Sequence, residues 1–214
     1  MAKTAKIAKS AFIAFEGGEG SGKTTVIKFL ASALMKSGYD VLVTHEPGGT
    51  RVGKKIREIL VDKKSKDIIP KAELLLFLAD RAQHVEETIK PALAGQKIVL
   101  CDRFSGSTFA YQYYGRELVN FEEIYRLDSF SRDHLRPGLT ILLDVPPETG
   151  LGERDKNISR FEKEKIEFHR RLRAGYLELA RQNPDTWRVI DASKPLKEVQ
   201  SEALEIIKDF LAIS

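Results

Sequence analysis

The stretch that most constrains this 214-residue chain is Gly17-Gly18-Glu19-Gly20-Ser21-Gly22-Lys23-Thr24, set between the apolar run Phe12-Ile13-Ala14-Phe15 and a helical pattern. It matches G-x-x-x-x-G-K-[ST] in the strand–loop–helix context that gives that pattern its meaning. The glycines let backbone N–H groups turn inward toward phosphate oxygens, and the following helix aims its positive end at the same point. Lys23 is expected to reach the β- and γ-phosphates of a bound nucleotide, and the Thr24 hydroxyl to ligate Mg²⁺. Residues Gly17, Gly18, Glu19, Gly20, Ser21, Gly22, Lys23, Thr24 and Thr25 form the expected ATP-binding set. The loop alone implies a nucleotide, not a reaction.

The rest of the chain alternates in a way that suits such a loop. Apolar runs at Ala11–Glu16, Val41–His45, Ile98–Asp102, Leu139–Asp144 and Trp187–Asp191 read as short buried parallel strands. Helical patterns lie between them near Thr24–Lys36, Val52–Val61, Lys71–Glu87, Ser107–Tyr114, Phe121–Ser131, Phe161–Asn183 and Leu196–Ile213. Pro91 is expected to break the chain before the third strand, and Pro137-Gly138 before the fourth. The predicted architecture is α/β: a P-loop NTPase fold with an open, five-stranded parallel sheet and helices on both faces. One domain spans 11–214, with a small lid at about 150–162 and a basic tail at 1–10. In such sheets ligands bind beyond the carboxyl ends of the strands, where the motifs fall.

The net charge of +4 suits an anionic small-molecule substrate and does not imply nucleic acid. The single cysteine, Cys101, excludes an internal disulfide and fits a reducing compartment. No run approaches the roughly 20 apolar residues of a membrane span. A cytoplasmic protein without nucleic-acid or membrane partners is expected.

Two strands end in aspartate, Asp102 and Asp144, and either could hold Mg²⁺ indirectly. Asp102 is favoured because Arg103 follows it, offering a metal-side acid and a phosphate-side cation in one turn. Asp144 could instead cap the next helix, with Pro146 and Pro147 in its first turn. No N-K-x-D guanine motif is present. Arg154, Lys156 and Arg160 lie in a polar stretch between two helical patterns. It reads either as a mobile lid carrying cations or as a solvated connection.

The motifs together resemble bacterial thymidylate kinase. The resemblance rests on Phe15 to Thr25, Glu46-Pro47-Gly48-Gly49-Thr50, Phe77-Leu78-Ala79-Asp80-Arg81, Asp102-Arg103-Phe104, Ser107 to Gln112, Arg160-Phe161-Glu162 and Gly175 to Ala180. It implies transfer of the ATP γ-phosphoryl group to dTMP, giving dTDP and ADP. Phe77 and Arg81, four apart on one helix face, match residues that stack on thymine and bond its carbonyl. Taken without the resemblance, Phe77 reads rather as core, with Leu74, Leu75, Leu76 and Leu78 around it. Thr108 and Gln112 match positions lining the base, and Tyr111 matches the residue packing under the sugar. Glu19 matches an acid near the 3′-hydroxyl and the reacting phosphates. Arg57 and Arg103 match arginines on the acceptor phosphate, with Glu46 and Pro47 on the same side. Lys23, Arg103, Glu19 and the lid residues Arg154 and Arg160 form the expected catalytic set. The resemblance also implies a homodimer; apolar helices such as Leu74–Leu78 or Phe121–Phe130 suit a two-fold contact and core packing alike.

Three departures from the family pattern stand out. His45 replaces the usual arginine before Glu46, Ser159 replaces an aspartate in the lid, and the P-loop holds no arginine. In the last the chain resembles the branch of the family that supplies its catalytic arginine from the lid, which implies Arg154 and Arg160 as candidates. The remaining alternatives are a P-loop kinase for another nucleoside monophosphate, or a P-loop ATPase that transfers nothing.

Overall fold

A computed structural model describes residues 10–65, 67–118, 120–152 and 161–212. The strands are β1 (Ala11–Glu16), β2 (Val41–His45), β3 (Ile98–Asp102), β4 (Leu139–Asp144) and β5 (Trp187–Asp191). They form one sheet in the order β2-β3-β1-β4-β5, every pairing parallel. The central strand β1 is buried along its whole length, so its sequence is apolar rather than alternating. Its period-2 geometry still divides the core. Ile13 and Phe15 face α1 (Lys23–Lys36) and the C-terminal helix through Val26, Leu30, Leu34, Ala203 and Ile207. Phe12 and Ala14 face the opposite layer with Val85, Ile89 and Phe104. Each of the large side chains among them contributes about 1.5–3 kcal/mol on burial, which fixes strand register.

The remaining helices are α2 (Arg51–Val61), α3 (Pro70–His84), α4 (Lys90–Ala94), α5 (Ser105–Thr108), α6 (Phe121–Ser131), α7 (Pro147–Leu151), α8 (Ile166–Gln182) and α9 (Leu196–Leu211). Helix α8 shows the expected apolar stripe at Phe168, Leu172, Tyr176 and Leu179. Among the described residues, no helix is long and apolar enough to cross a membrane.

Three expectations need correction. Pro91 does not break the chain. A π-turn at Val85–Ile89 joins α3 to α4, and Pro91 lies in the first turn of α4. The wider turn removes the need for the N–H that proline lacks. The pattern at Ser107–Tyr114 is not one α-helix, because α5 gives way to a π-helical turn at Phe109–Gly115. The helix expected from Phe161 begins at Ile166, since residues 161–165 form turns that point Phe161 inward, where it is buried.

Candidate active site

β1 lies between β3 and β4, the position at which an open parallel sheet leaves a crevice at its carboxyl edge. The loop leaves β1 there. Beside it Asp102 ends β3, in register with Phe15. Gly20 has φ +77°, and a Cβ on it would collide with the Gly150 carbonyl of α7. Only glycine fits this close approach. Lys23 folds back into the loop, donating to Gly17 O and Gly18 O at 3.0 Å each and to Ser21 Oγ at 3.3 Å. Burial and the nearby Arg103 lower its pKa from 10.5 to about 8.

The Thr24 hydroxyl donates to Asp102 Oδ2 at 2.9 Å. A hydroxyl and a carboxylate side by side are hard oxygen donors at the edge of the loop cavity. They suit Mg²⁺, which takes few protein ligands and leaves the rest to water and phosphate. Asp144 does not cap α7, whose N-cap is Pro146 without a side-chain bond. Its carboxylate instead receives two bonds from Arg173, at 2.7 and 2.8 Å. A planar guanidinium matches both oxygens and outcompetes a lone backbone N–H.

Arg103 occupies a left-handed backbone conformation, φ +70°, just beyond β3. Its guanidinium donates to Gly17 O at 2.9 Å, Tyr176 Oη at 3.2 Å and Glu19 Oε1 at 2.9 Å. Tyr111 Oη donates to the same Glu19 oxygen at 2.6 Å. Burial alone would raise the Glu19 carboxyl, but Arg103 and Lys23 outweigh it and hold it down at about 2. Beneath them Glu16 is fully buried, accepting from Phe104 N, Ser107 N and Ser107 Oγ. Its pKa is raised by that burial.

Next to the loop cavity lies a second one of about 760 Å³, open mouth included. Glu19, Glu46, Pro47, Arg57, Phe77, Arg81, Arg103, Thr108, Tyr111 and Gln112, the ten residues expected on the acceptor side, all line it. The Glu46-to-Thr50 motif is shaped by its surroundings. Thr50 caps α2 by accepting from Gly53 N, and Arg57 in α2 donates to Pro47 O at 2.9 Å. Arg81 is buried and held by Glu46, Thr108 Oγ1 at 2.5 Å and Asp128 at 2.6 Å. Phe77 is half-buried, its ring 6.0 Å from that of Phe161. The two readings of Phe77 are therefore compatible, since it packs against the core cluster of Tyr111, Phe168 and Tyr176 and also lines the cavity. His45 lines the loop cavity. Partial desolvation and Arg57 push its pKa down, so it does not replace the charge of an arginine at neutral pH.

Arg154, Lys156, Ser159 and Arg160 lie outside the described residues. Sequence reasoning assigned no role to Ser107, Tyr176, Glu16 or Asp128, although they position Arg103 and Arg81. Glu16 carried the one visible signal, an acid ending an otherwise apolar strand. Phe161 and Glu162 line the second cavity and were noticed only as part of a motif.

Comparison with known proteins gives the family and the fold. A family model described as thymidylate kinase matches residues 15–203. The thymidylate kinase of Desulfovibrio desulfuricans is 44% identical over 209 residues, covering 94% of this chain and 96% of that one. That of Syntrophotalea carbinolica is 48% identical over 198 residues, covering 89% and 91%. The crystal structure of thymidylate kinase from Ehrlichia chaffeensis superimposes with a TM-score of 0.77 at 35% identity, covering 93% of this chain and 98% of that one. At these identities and coverages, and with a superimposable fold, the chain belongs to the thymidylate kinase family.

Proposed function

We propose that the loop cavity holds ATP with Mg²⁺ and the second cavity holds dTMP, with transfer across their junction. Phosphorylation of dTMP is the activity of the family, and the chain is a P-loop nucleoside monophosphate kinase. The observation that carries the arrangement is that four charged residues, Glu19, Glu46, Arg57 and Arg103, line both cavities. A phosphate held from one side therefore faces a phosphate held from the other.

The acceptor phosphate is already deprotonated, so no protein base is needed. One of its oxygens forms a bond to the γ-phosphorus as the bond to the β–γ bridging oxygen breaks, and ADP leaves with that oxygen. Catalysis is then positioning plus charge stabilisation. Lys23 moves from the loop carbonyls to the β- and γ-phosphates. Arg103 and Arg57 hold the acceptor phosphate in line, and Arg154 or Arg160 in the lid supplies the remaining cation. Thr24 and Asp102 would hold Mg²⁺, which would neutralise phosphate charge. In the second cavity Phe77 stacks on the base, Arg81 and Gln112 bond its polar edge, and Tyr111 lies against the sugar. We place the reaction in the cytoplasm, where the free Cys101 thiol would persist.

The test is ADP formation from ATP with dTMP, dUMP, dCMP, dGMP, AMP and thymidine, with and without Mg²⁺. Mg²⁺-dependent turnover preferring dTMP is expected. Preference for another acceptor would overturn the base assignment, and ADP formation independent of acceptor would overturn transfer itself.

A homodimer is also proposed. On α3 and α6, Leu75 is 50% and Phe130 83% exposed, an apolar cost that a two-fold contact would remove. Sedimentation velocity should give twice the chain mass, and Phe130→Asp should shift the protein toward monomer. A monomeric parent protein at micromolar concentration would dismiss the dimer.

A further inference from the structure

Gln112 lines the second cavity and is fully buried, yet its carbonyl Oε1 has no hydrogen-bond partner among the described residues. Its amide nitrogen is committed. Nε2 donates to Glu73 Oε1 at 2.8 Å. Glu73, in the first turn of α3, is 1% exposed and is absent from the cavity wall. Arg116 grips the same carboxylate with Nε on Oε1 and Nη2 on Oε2, both at 3.2 Å. Arg116 is itself held by Glu164 at 2.5 Å and lies 4.9 Å over the Phe168 ring.

This chain of contacts has a direction. A carboxylate only accepts hydrogen bonds, so the side of the Gln112 amide that faces Glu73 has to be NH₂. The other side is then C=O, an acceptor without a protein partner among the described residues, on a residue that lines the cavity. Close by, Arg81 offers the opposite polarity. Four of its five N–H donors pair with Glu46, Thr108 and Asp128, and the fifth has no protein partner among the described residues.

We propose that Glu73, which touches no substrate, is a positioning residue that fixes the Gln112 amide so that the base pocket accepts a hydrogen bond from a pyrimidine N3–H and rejects cytosine. The proposal rests on the reading that the second cavity takes the base of the acceptor. Thymine and uracil offer a carbonyl at position 4 to Arg81 and an N3–H to Gln112. Cytosine offers an amino group and a bare N3, reversed at both positions. Were the amide free to turn, it would present NH₂ and meet the cytosine N3 correctly. Sites built from fixed polar groups discriminate strongly because the wrong ligand leaves buried groups unpaired.

The test compares kcat and KM for dTMP, dUMP and dCMP in the parent enzyme, Glu73→Gln, Gln112→Leu and the double exchange Glu73→Gln with Gln112→Glu. A glutamine at 73 can meet Gln112 as donor or acceptor, so the amide is released. The dTMP-over-dCMP preference in kcat/KM should narrow by about tenfold or more, the worth of one such bond. The change should lie mainly in KM, with the dTMP-over-dUMP ratio unmoved. The double exchange reverses the bond, with the donor now at 73, and keeps an acceptor at 112, and it should recover the preference. A purely structural role for Glu73 would lower all three substrates together and would not be rescued. An unchanged dTMP-to-dCMP ratio in Glu73→Gln, with a narrowed one in Gln112→Leu, would overturn the role of Glu73 and leave the base pocket standing. Unchanged ratios in both would overturn the base pocket as well. A measurement on the parent protein guards against a variant that folds poorly. The ¹⁵N-labelled Gln112 side-chain amide should stay protected and little shifted when dTMP binds. A large shift with loss of protection would mean that NH₂ faces the base, against the proposal.

Discussion

Replacing Arg103 by glycine should lower kcat/KM for dTMP about a thousandfold, the usual worth of a cation fixed on a transferring phosphoryl group. The same variant should be more stable than Arg103→Ala. Arg103 is placed by its backbone as much as by its side chain. At φ +70° an L-residue pays about 1–2 kcal/mol that glycine does not. The strain is tolerated because Arg103 N donates to Phe15 O at 2.9 Å, turning the chain at the edge of β3 so that the guanidinium reaches Gly17 and Glu19. Both truncations lose the side-chain contacts equally, so the stability difference between them isolates the backbone cost, about 1 kcal/mol. Arg103→Lys retains the charge without the fork and should fall between parent and glycine in activity. Steady-state kinetics and urea unfolding of the ligand-free variants check both halves. A kcat/KM within tenfold of the parent in Arg103→Gly would remove Arg103 from the phosphate site. Equal stability of the alanine and glycine variants would remove the strain.

The contrast between Arg103 and its supports shows what a sequence can carry. All five strands lie where their apolar runs place them, because a strand buried on both faces has to be apolar throughout. The loop and the acceptor motifs were legible for a similar reason, since each role demands one residue type at one spacing. Pro91 and residues 161–165 were misread because local pattern does not register a π-turn or the inward pull of a half-formed pocket. Tyr176 and Asp128 stayed silent for another reason. Tyr176 sits on an apolar helix stripe, where an aromatic is ordinary core, and only the fold brings its hydroxyl within 3.2 Å of Arg103. Asp128 lies in α6, 47 residues from the Arg81 it anchors, and nothing in its neighbourhood distinguishes it from a solvated acid. Tyr176 and Asp128, which act through another residue, leave no local signature. Their identity is set by what they must satisfy in three dimensions.

Lys23→Met should abolish measurable transfer and, with opposite sign, stabilise the ligand-free protein. Burial and the neighbouring Arg103 lower the Lys23 pKa to about 8, so at neutral pH the folded chain holds a charge its surroundings disfavour. The depression from 10.5 corresponds to an order-of-magnitude cost of about 3 kcal/mol. For a lysine with a lowered folded-state pKa, that cost is present in full below pH 8. It fades as pH rises toward 10.5, where the unfolded chain also loses the proton. Methionine fills similar space without the charge, and Gly17 O keeps its bond from Arg103. A gain of even 1 kcal/mol would raise Tm by about 2–4 °C in a chain of this size. Nucleotide reverses the balance, because a triphosphate beside Nζ restores the proton. In the parent protein, ATP binding above pH 8 should therefore take up a proton, and affinity should fall with rising pH, approaching about tenfold per unit. Titration calorimetry at pH 8.5 in two buffers of different ionisation enthalpy reads that proton directly, and it should be absent in Lys23→Met. A lower Tm in the variant would mean that the lysine's bonds to Gly17 O and Gly18 O outweigh its burial. Buffer-independent heats in the parent would mean that Lys23 is already charged before ATP arrives.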